Sequence, residues 1–247
     1  MKHKVKIAIF DLTDCEGCEL QFLAFVEKVL EMDDQLEITN WRLAKQKNVE
    51  GPFDVAFIEG SPLTEEDIEL IKEIKKHSKA VVALGNCASL AGIPGLINGE
   101  ERERLAKKIY GPNYKLRVRE VRPLSHYIDV DYELRGCPVT EKELEELVSS
   151  LISGKKVVPK TYPVCLECKA NGNPCLFLEN KACLGAVTKG GCGALCPSHG
   201  HRCYGCLGPV RENNTDAITN RLSETVGKDE AIRQLEIFVN NPMMEEK

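Results

Sequence analysis

The chain has 247 residues, a formal net charge of −5, 43% hydrophobic and 29% charged residues, the composition of an ordinary globular protein. The acidic balance argues against a nucleic-acid partner, which calls for a basic stripe. The longest apolar runs, such as Ala80–Leu84, are far too short to span a bilayer. Met1-Lys-His-Lys leads straight into a strand pattern with no apolar leader, so a cytoplasmic protein is expected.

Strand and helix signals alternate from the start to about residue 155. Lys4–Phe10 is a short β-branched run, followed by Glu19–Glu31 with Leu20, Leu23, Val26 and Leu30 near helical spacing. Glu37–Leu43 alternates as a strand, and Asp54–Glu59 reads as a buried strand ending in Gly60-Ser61-Pro62. Thr64 is placed to cap a helix over Glu65–His77, with acids in its first turn and bases in its last. Ala80–Leu84 is a fourth strand and Tyr127–Leu134 a fifth; Thr140 opens a helix over Glu141–Ser153. Such alternation implies a mostly parallel, doubly wound α/β sheet, whose functional crevice lies beyond the carboxyl ends of its strands.

The character changes after Lys155. Val157–Gly208 has little periodicity and many Gly and Pro; so long a stretch without regular structure needs something other than an apolar core to hold it. Thr215–Val239 reads as one or two amphipathic helices. The expected organisation is an α/β domain over 1–155 and a loop-rich domain with C-terminal helices over 156–247.

Twelve cysteines supply the missing glue. Cys15, Cys18, Cys87 and Cys137 each follow a predicted strand end, so the topology gathers them at one edge of the sheet. The other eight (Cys165, Cys168, Cys175, Cys183, Cys192, Cys196, Cys203, Cys206) crowd the loop-rich stretch. Three pairs have C-x-x-C spacing, in which two sulfurs reach one metal centre, and Gly17 permits the tight turn between the first two. Pro138 and Pro197 each follow a cysteine, as in iron–sulfur runs. Four thiolates per site suit a 4Fe–4S cluster or a structural zinc. A disulfide framework ranks third, because disulfides are rare in the cytoplasm.

The motifs Leu12-Thr13-Asp14-Cys15-Glu16-Gly17-Cys18, Phe57-Ile58-Glu59-Gly60-Ser61, Gly85-Asn86-Cys87-Ala88 and Gly136-Cys137-Pro138 resemble the small subunit of nickel–iron hydrogenases. The 20-kDa subunit of respiratory complex I is a distant cousin that lacks the eight-cysteine extension. Pro163-Val164-Cys165-Leu166-Glu167-Cys168, Cys183-Leu184-Gly185-Ala186-Val187-Thr188 and Gly191-Cys192 are similar to the cytoplasmic branch, which includes archaeal sulfhydrogenases and viologen-reducing hydrogenases. The resemblance runs to about residue 210. It implies a flavodoxin-like sheet and three 4Fe–4S clusters: a proximal one on Cys15, Cys18, Cys87 and Cys137, a medial one on Cys192, Cys196, Cys203 and Cys206, and a distal one on Cys165, Cys168, Cys175 and Cys183. Periplasmic members usually have a histidine where Cys165 stands and often a three-iron medial cluster, so two all-cysteine sites are a departure here. The implied partners are a large subunit that holds the nickel–iron site and activates H2, and an electron-acceptor subunit, itself a flavin or iron–sulfur protein. A structural zinc module, or an electron-transfer subunit of a related complex without hydrogenase activity, is the alternative.

Other residues are weighed against plainer roles. Glu16 and Glu19 suit a proton path, but acids at a helix start are the simpler reading. Glu59 faces the first cysteine set or the partner, or makes a buried hydrogen bond or helix cap. His199 and His201 are surplus to the ligand count and read as surface or supporting residues. Lys169, Lys189 and Arg202 read as solvated side chains, and Trp41 as core. Gly190-Gly191-Cys192-Gly193 is not a phosphate loop.

Overall fold

The computed structural model describes residues 4–25, 28, 31 and 34–239. Within them, β1 Val5–Asp11, β2 Leu36–Trp41, β3 Phe53–Glu59, β4 Ser78–Leu84 and β5 Tyr132–Leu134 form an all-parallel sheet in the order β2-β1-β3-β4-β5. This is the flavodoxin-like doubly wound order, which reverses direction between β1 and β3. Parallel strands need crossovers, and the helices that supply them cover both faces. The strands accordingly read as almost continuous apolar runs. Val55 and Phe57 of β3 join one core cluster while Ala56 and Ile58 join the other, as the two-residue side-chain period requires.

On the first face, α1 Gly17–Ala24 and α5 Glu141–Ile152 pack Phe22, Leu144, Leu147 and Val148 against Ile7, Ile9, Phe57 and Val82. Phe22 lies edge-on to Phe57, with ring centroids 4.9 Å apart. On the second face, α2 Glu65–His77 contributes Ile71 and Ile74. Its start is a full capping box: Asp67 N donates to Thr64 Oγ1 at 3.1 Å and Thr64 N donates to Asp67 Oδ2 at 2.9 Å. Thr140 caps α5 in the expected way, accepting from Glu143 N at 3.2 Å. Val26 and Leu30 of the first predicted helix lie outside the described residues.

Several elements differ from expectation for local reasons. The fifth strand is only Tyr132–Leu134; just before it, Asp131 N donates to Val81 O (3.0 Å) while its carboxylate accepts from Val81 N (2.8 Å) and pairs with Lys75. Two helices were not expected: α3 Gly85–Leu90 spans only six residues, and α4 Gly99–Tyr110, though amphipathic in pattern, buries only Ala106. Within the cysteine-rich stretch, α6 Val164–Ala170 and α7 Leu195–Ser198 are likewise too short for periodicity. The expected tail is two helices, α8 Thr215–Val226 and α9 Lys228–Glu236, whose Ile218, Leu222, Ala231 and Leu235 pack on Ala182, Leu184 and Val187. The cysteine-rich stretch therefore has a small apolar backing of its own. Among the described residues no helix is long and apolar enough to cross a membrane.

Phe57, fully buried at the centre of the first face, gives the direct test of this core. Phe57→Ala should lower the unfolding free energy by about 3–5 kcal/mol. Leu178→Ala, at a side chain 86% exposed, should stay within about 0.5 kcal/mol; denaturant midpoints of the two variants check both values.

Candidate metal centres

The first cysteine set assembles where the sheet reverses direction. The chain leaves β1 into Asp14, whose Oδ1 accepts from Glu16 N at 2.7 Å. Glu16 then takes a left-handed conformation (φ 58°) and turns the chain into α1. The start of α1 has no side-chain cap of its own. Instead Glu59, at the end of β3, reaches across: Oε1 accepts from Cys18 N at 3.0 Å and Oε2 from Glu19 N at 2.7 Å. A carboxylate on the exposed amides of a helix start is favourable for hydrogen bonding and for the helix dipole alike. Of the roles open to Glu59, the structure shows the cap. Its burial raises its pKa, against the pull of those two amides.

Asn86 joins the other two members. Its backbone N donates to Gly136 O (2.9 Å), its Oδ1 accepts from Gly136 N (3.0 Å), and its Nδ2 donates to Cys206 O. One buried amide thus ties the turn before Cys87 to the turn before Cys137 and to the loop-rich stretch. Ser61 adds a bond from its Oγ to Cys87 O at 2.6 Å. Gly85, at φ +79°, lies directly against Cys18 Sγ, where a Cβ would collide with the sulfur.

The thiols form a run of neighbours. Cys87 is influenced by Cys137 and Cys15, and Cys18 by Cys87; Cys165 is influenced by Cys183, Cys168 and Cys175; Cys206 is influenced by Cys192, Cys196 and Cys137, and Cys203 by Cys183 and then Cys206. The Cys206 sulfur accepts from the backbone of Cys137, and Cys203 N donates to Cys183 Sγ at 3.4 Å. Cys203 and Cys206 therefore lie between Cys183 and Cys137. Gly185 sits beside Cys165 Sγ and Cys183 Sγ, 3.3 and 3.7 Å from where its Cβ would be.

These surroundings are hostile to bare thiolates. Burial, then neighbouring cysteines, push Cys87 up to about 12 and Cys165 to about 11. Burial pushes Cys203 and Cys206 up to about 12. Cys18 is driven higher by burial and by the Glu59 carboxylate. A polynuclear cationic core would reverse this balance, since it makes thiolate the favoured state of its ligands. All twelve cysteines are free of disulfides. Among the described residues no three His, Cys, Asp or Glu side chains close on a point for a single ion. Twelve soft thiols in one chain are consistent with iron–sulfur binding.

The remaining residues fall on plainer roles, except that Lys189 and Arg202, read as solvated, are half-buried. Glu19 stands in the first turn of α1 but points inward: it is 1% exposed, its Oε2 accepts from Trp41 Nε1 at 2.7 Å, and its Oε1 has no partner. Burial raises it to about 7. Trp41 is core, as expected. Glu16 faces solvent near Arg42. His199, His201 and Lys169 are exposed. Arg202 is half-buried, bonded to Gln234 and stacked 4.8 Å from the Tyr204 ring. Lys189 is half-buried near Glu143, and burial lowers its pKa. The joining role of Asn86 was invisible to spacing, because its partners lie 50 and 120 residues away.

Known proteins resemble the chain along most of its length. Residues 15–151 match the family "NADH ubiquinone oxidoreductase, 20 Kd subunit". Sulfhydrogenase 2 subunit delta of Pyrococcus furiosus is 35% identical over 236 residues, covering 95% of this chain and 99% of that one. A subunit of the F420-non-reducing hydrogenase vhu of Methanocaldococcus jannaschii is 36% identical over 262 residues, covering 94% of this chain and 91% of that one. An actinobacterial-type NiFe-hydrogenase from Ralstonia eutropha H16 shares the fold, with a TM-score of 0.60 at 17% identity over 99% of this chain and 92% of that one.

Asn86→Ala should unfold at lower denaturant, with a loss of about 2–4 kcal/mol, because it strands the buried Gly136 N–H and the Cys206 carbonyl. His199→Ala and His201→Ala should stay within about 0.5 kcal/mol and keep the full iron content, measured on anaerobically purified protein.

Proposed function

The chain belongs to the 20-kDa-subunit family of NADH:ubiquinone oxidoreductase, among the hydrogenase small subunits, and we propose that it relays electrons between an H2-activating large subunit and an acceptor subunit through three 4Fe–4S clusters. The supporting observation is the order of the sulfur groups: Cys206 against Cys137, and Cys203 against Cys183. Cys15, Cys18, Cys87 and Cys137 would hold the proximal cluster, Cys192, Cys196, Cys203 and Cys206 the medial one, and Cys165, Cys168, Cys175 and Cys183 the distal one. Such clusters, when bound, accept and release single electrons at potentials set by ligands, hydrogen bonds and exposure.

The chain's own contribution is holding, spacing and shielding. Glu59 and Asn86 fix the two ends of the first group by buried hydrogen bonds. Amides of Val139, Ala194 and Leu195 donate to the sulfurs of Cys18 and Cys192, the kind of contact that stabilises the reduced form. Cys15 and Cys137 are exposed whereas Cys18 is buried; the first group therefore opens outward, where a large subunit would dock. Residues 1–155 would act as the domain of the proximal cluster and 156–247 as that of the other two. The nickel–iron chemistry belongs to the large subunit, and the assembly is read as cytoplasmic. The acceptor subunit would be a flavin or iron–sulfur protein.

In the complex with its large subunit, Cys15→Ser, backed by Cys87→Ala, should abolish reduction of the medial and distal clusters by H2, followed by electron paramagnetic resonance. Dithionite should still reduce both. Reduction by H2 at the unmodified rate in both variants would overturn the relay.

A further inference from the structure

Away from the cysteines, α4 and the loop 112–120 enclose a cavity of about 740 Å³, within the range of small-molecule sites, roughly 300–1,000 Å³. None of the twelve cysteines lines it. The loop is pinned at its far end: Arg119 N donates to Leu63 O at 2.7 Å, and Asn98 bonds both backbone groups of Val121, accepting at 2.9 Å and donating at 3.3 Å. The cavity is thus formed without a ligand.

Its wall includes Arg102, a half-buried guanidinium that makes no ion pair among the described residues. Arg102 Nη1 is shielded from solvent and has no hydrogen-bond partner, a costly state for a guanidinium nitrogen. Lys115, on the facing loop, makes no ion pair among the described residues. The two carboxylates in the wall are already used: Glu103 by Lys107 at 2.6 Å and Glu120 by Arg122 at 2.9 Å. Between Arg102 and Arg122 the chain has eight basic and two acidic residues, an excess of six in a protein whose net charge is −5. The local field therefore draws anions in from solution.

We propose that this cavity binds a phosphate-bearing small molecule, its phosphate held between Arg102 and Lys115 and its organic part against Tyr114. The planar guanidinium fork matches phosphate oxygens in pairs, and a nearby ammonium adds a second point charge. Tyr114 lines the cavity and stacks on Tyr110, with centroids 4.8 Å apart, which steadies the ring as a platform. A second negative charge on the ligand answers Lys115, which a monocarboxylate would leave unmatched.

Calorimetric titration of the anaerobically purified full chain with pyrophosphate and, separately, with ADP tests the site. Saturable binding is expected, weakened about ten-fold or more in Arg102→Gln and in Lys115→Gln, and unchanged in Lys156→Gln on the exposed linker. Lys115 lies on a surface loop, so its variant keeps the test intact even where Arg102→Gln folds poorly. Equal affinity for both probes, or tighter binding of ADP, each supports the site, the second adding the ring to what it holds. Failure of both probes to saturate, or unchanged affinity in Lys115→Gln, would overturn it.

Discussion

Burying sulfur is the constraint from which the rest of this structure follows. Thiols such as Cys18, Cys87, Cys203 and Cys206 are withdrawn from water and set beside one another, and Cys18 also beside a carboxylate, so that ionising any of them alone is strongly opposed. In the stretch between Val157 and Gly208, where loops predominate, only a small apolar backing is present to compensate. Ligand bonds to cationic cores do compensate, and in small metal-bound domains they contribute the folding free energy itself. The proposed clusters are in this sense structural before they are redox-active. The apolar backing from α8 and α9 closes one side of the stretch, and sulfur coordination would close the rest.

The sheet solves a separate problem, that of bringing distant residues to one point. Reversal of winding between β1 and β3 opens a crevice at their carboxyl ends, and the loops after β1, β4 and β5 deliver Cys15, Cys18, Cys87 and Cys137 to it. Fine positioning then falls to groups outside the coordination sphere. Glu59 crosses from β3 to cap α1, and Asn86 binds the first group to the carbonyl of Cys206. Through Asn86 and the contact of Cys206 with Cys137, the spacing between two groups of sulfurs depends on buried hydrogen bonds, not on a flexible linker. In the proposed relay the distance between centres governs electron transfer, so rigidity at this joint would have functional value.

Much of this was legible in the sequence because it rests on local signals. β3 and β4 are long apolar runs, Thr64 and Asp67 form a capping box, and the C-x-x-C pairs stand out by spacing alone. Short or barely buried elements were not read: α3 is a single short segment, α4 buries one residue, and α6 is built around its cysteines. Long-range partners were equally hidden. Glu59 had several roles open to it until its amide partners, 40 and 41 residues away, were located. Glu19 was readable as an acid at a helix start, but its burial and its bond from Trp41 Nε1 emerge only from the tertiary fold. Arg102 reads as one base among many until its Nη1 is found enclosed without an acceptor.

Iron–sulfur ligation by all twelve cysteines is the proposed basis of both fold and function. Iron, acid-labile sulfide and zinc should be quantified together on the chain isolated without oxygen. About twelve irons and twelve sulfides per chain, with negligible zinc, is the predicted result for three cubanes. A folded chain devoid of iron, or one holding zinc in its place, would contradict it.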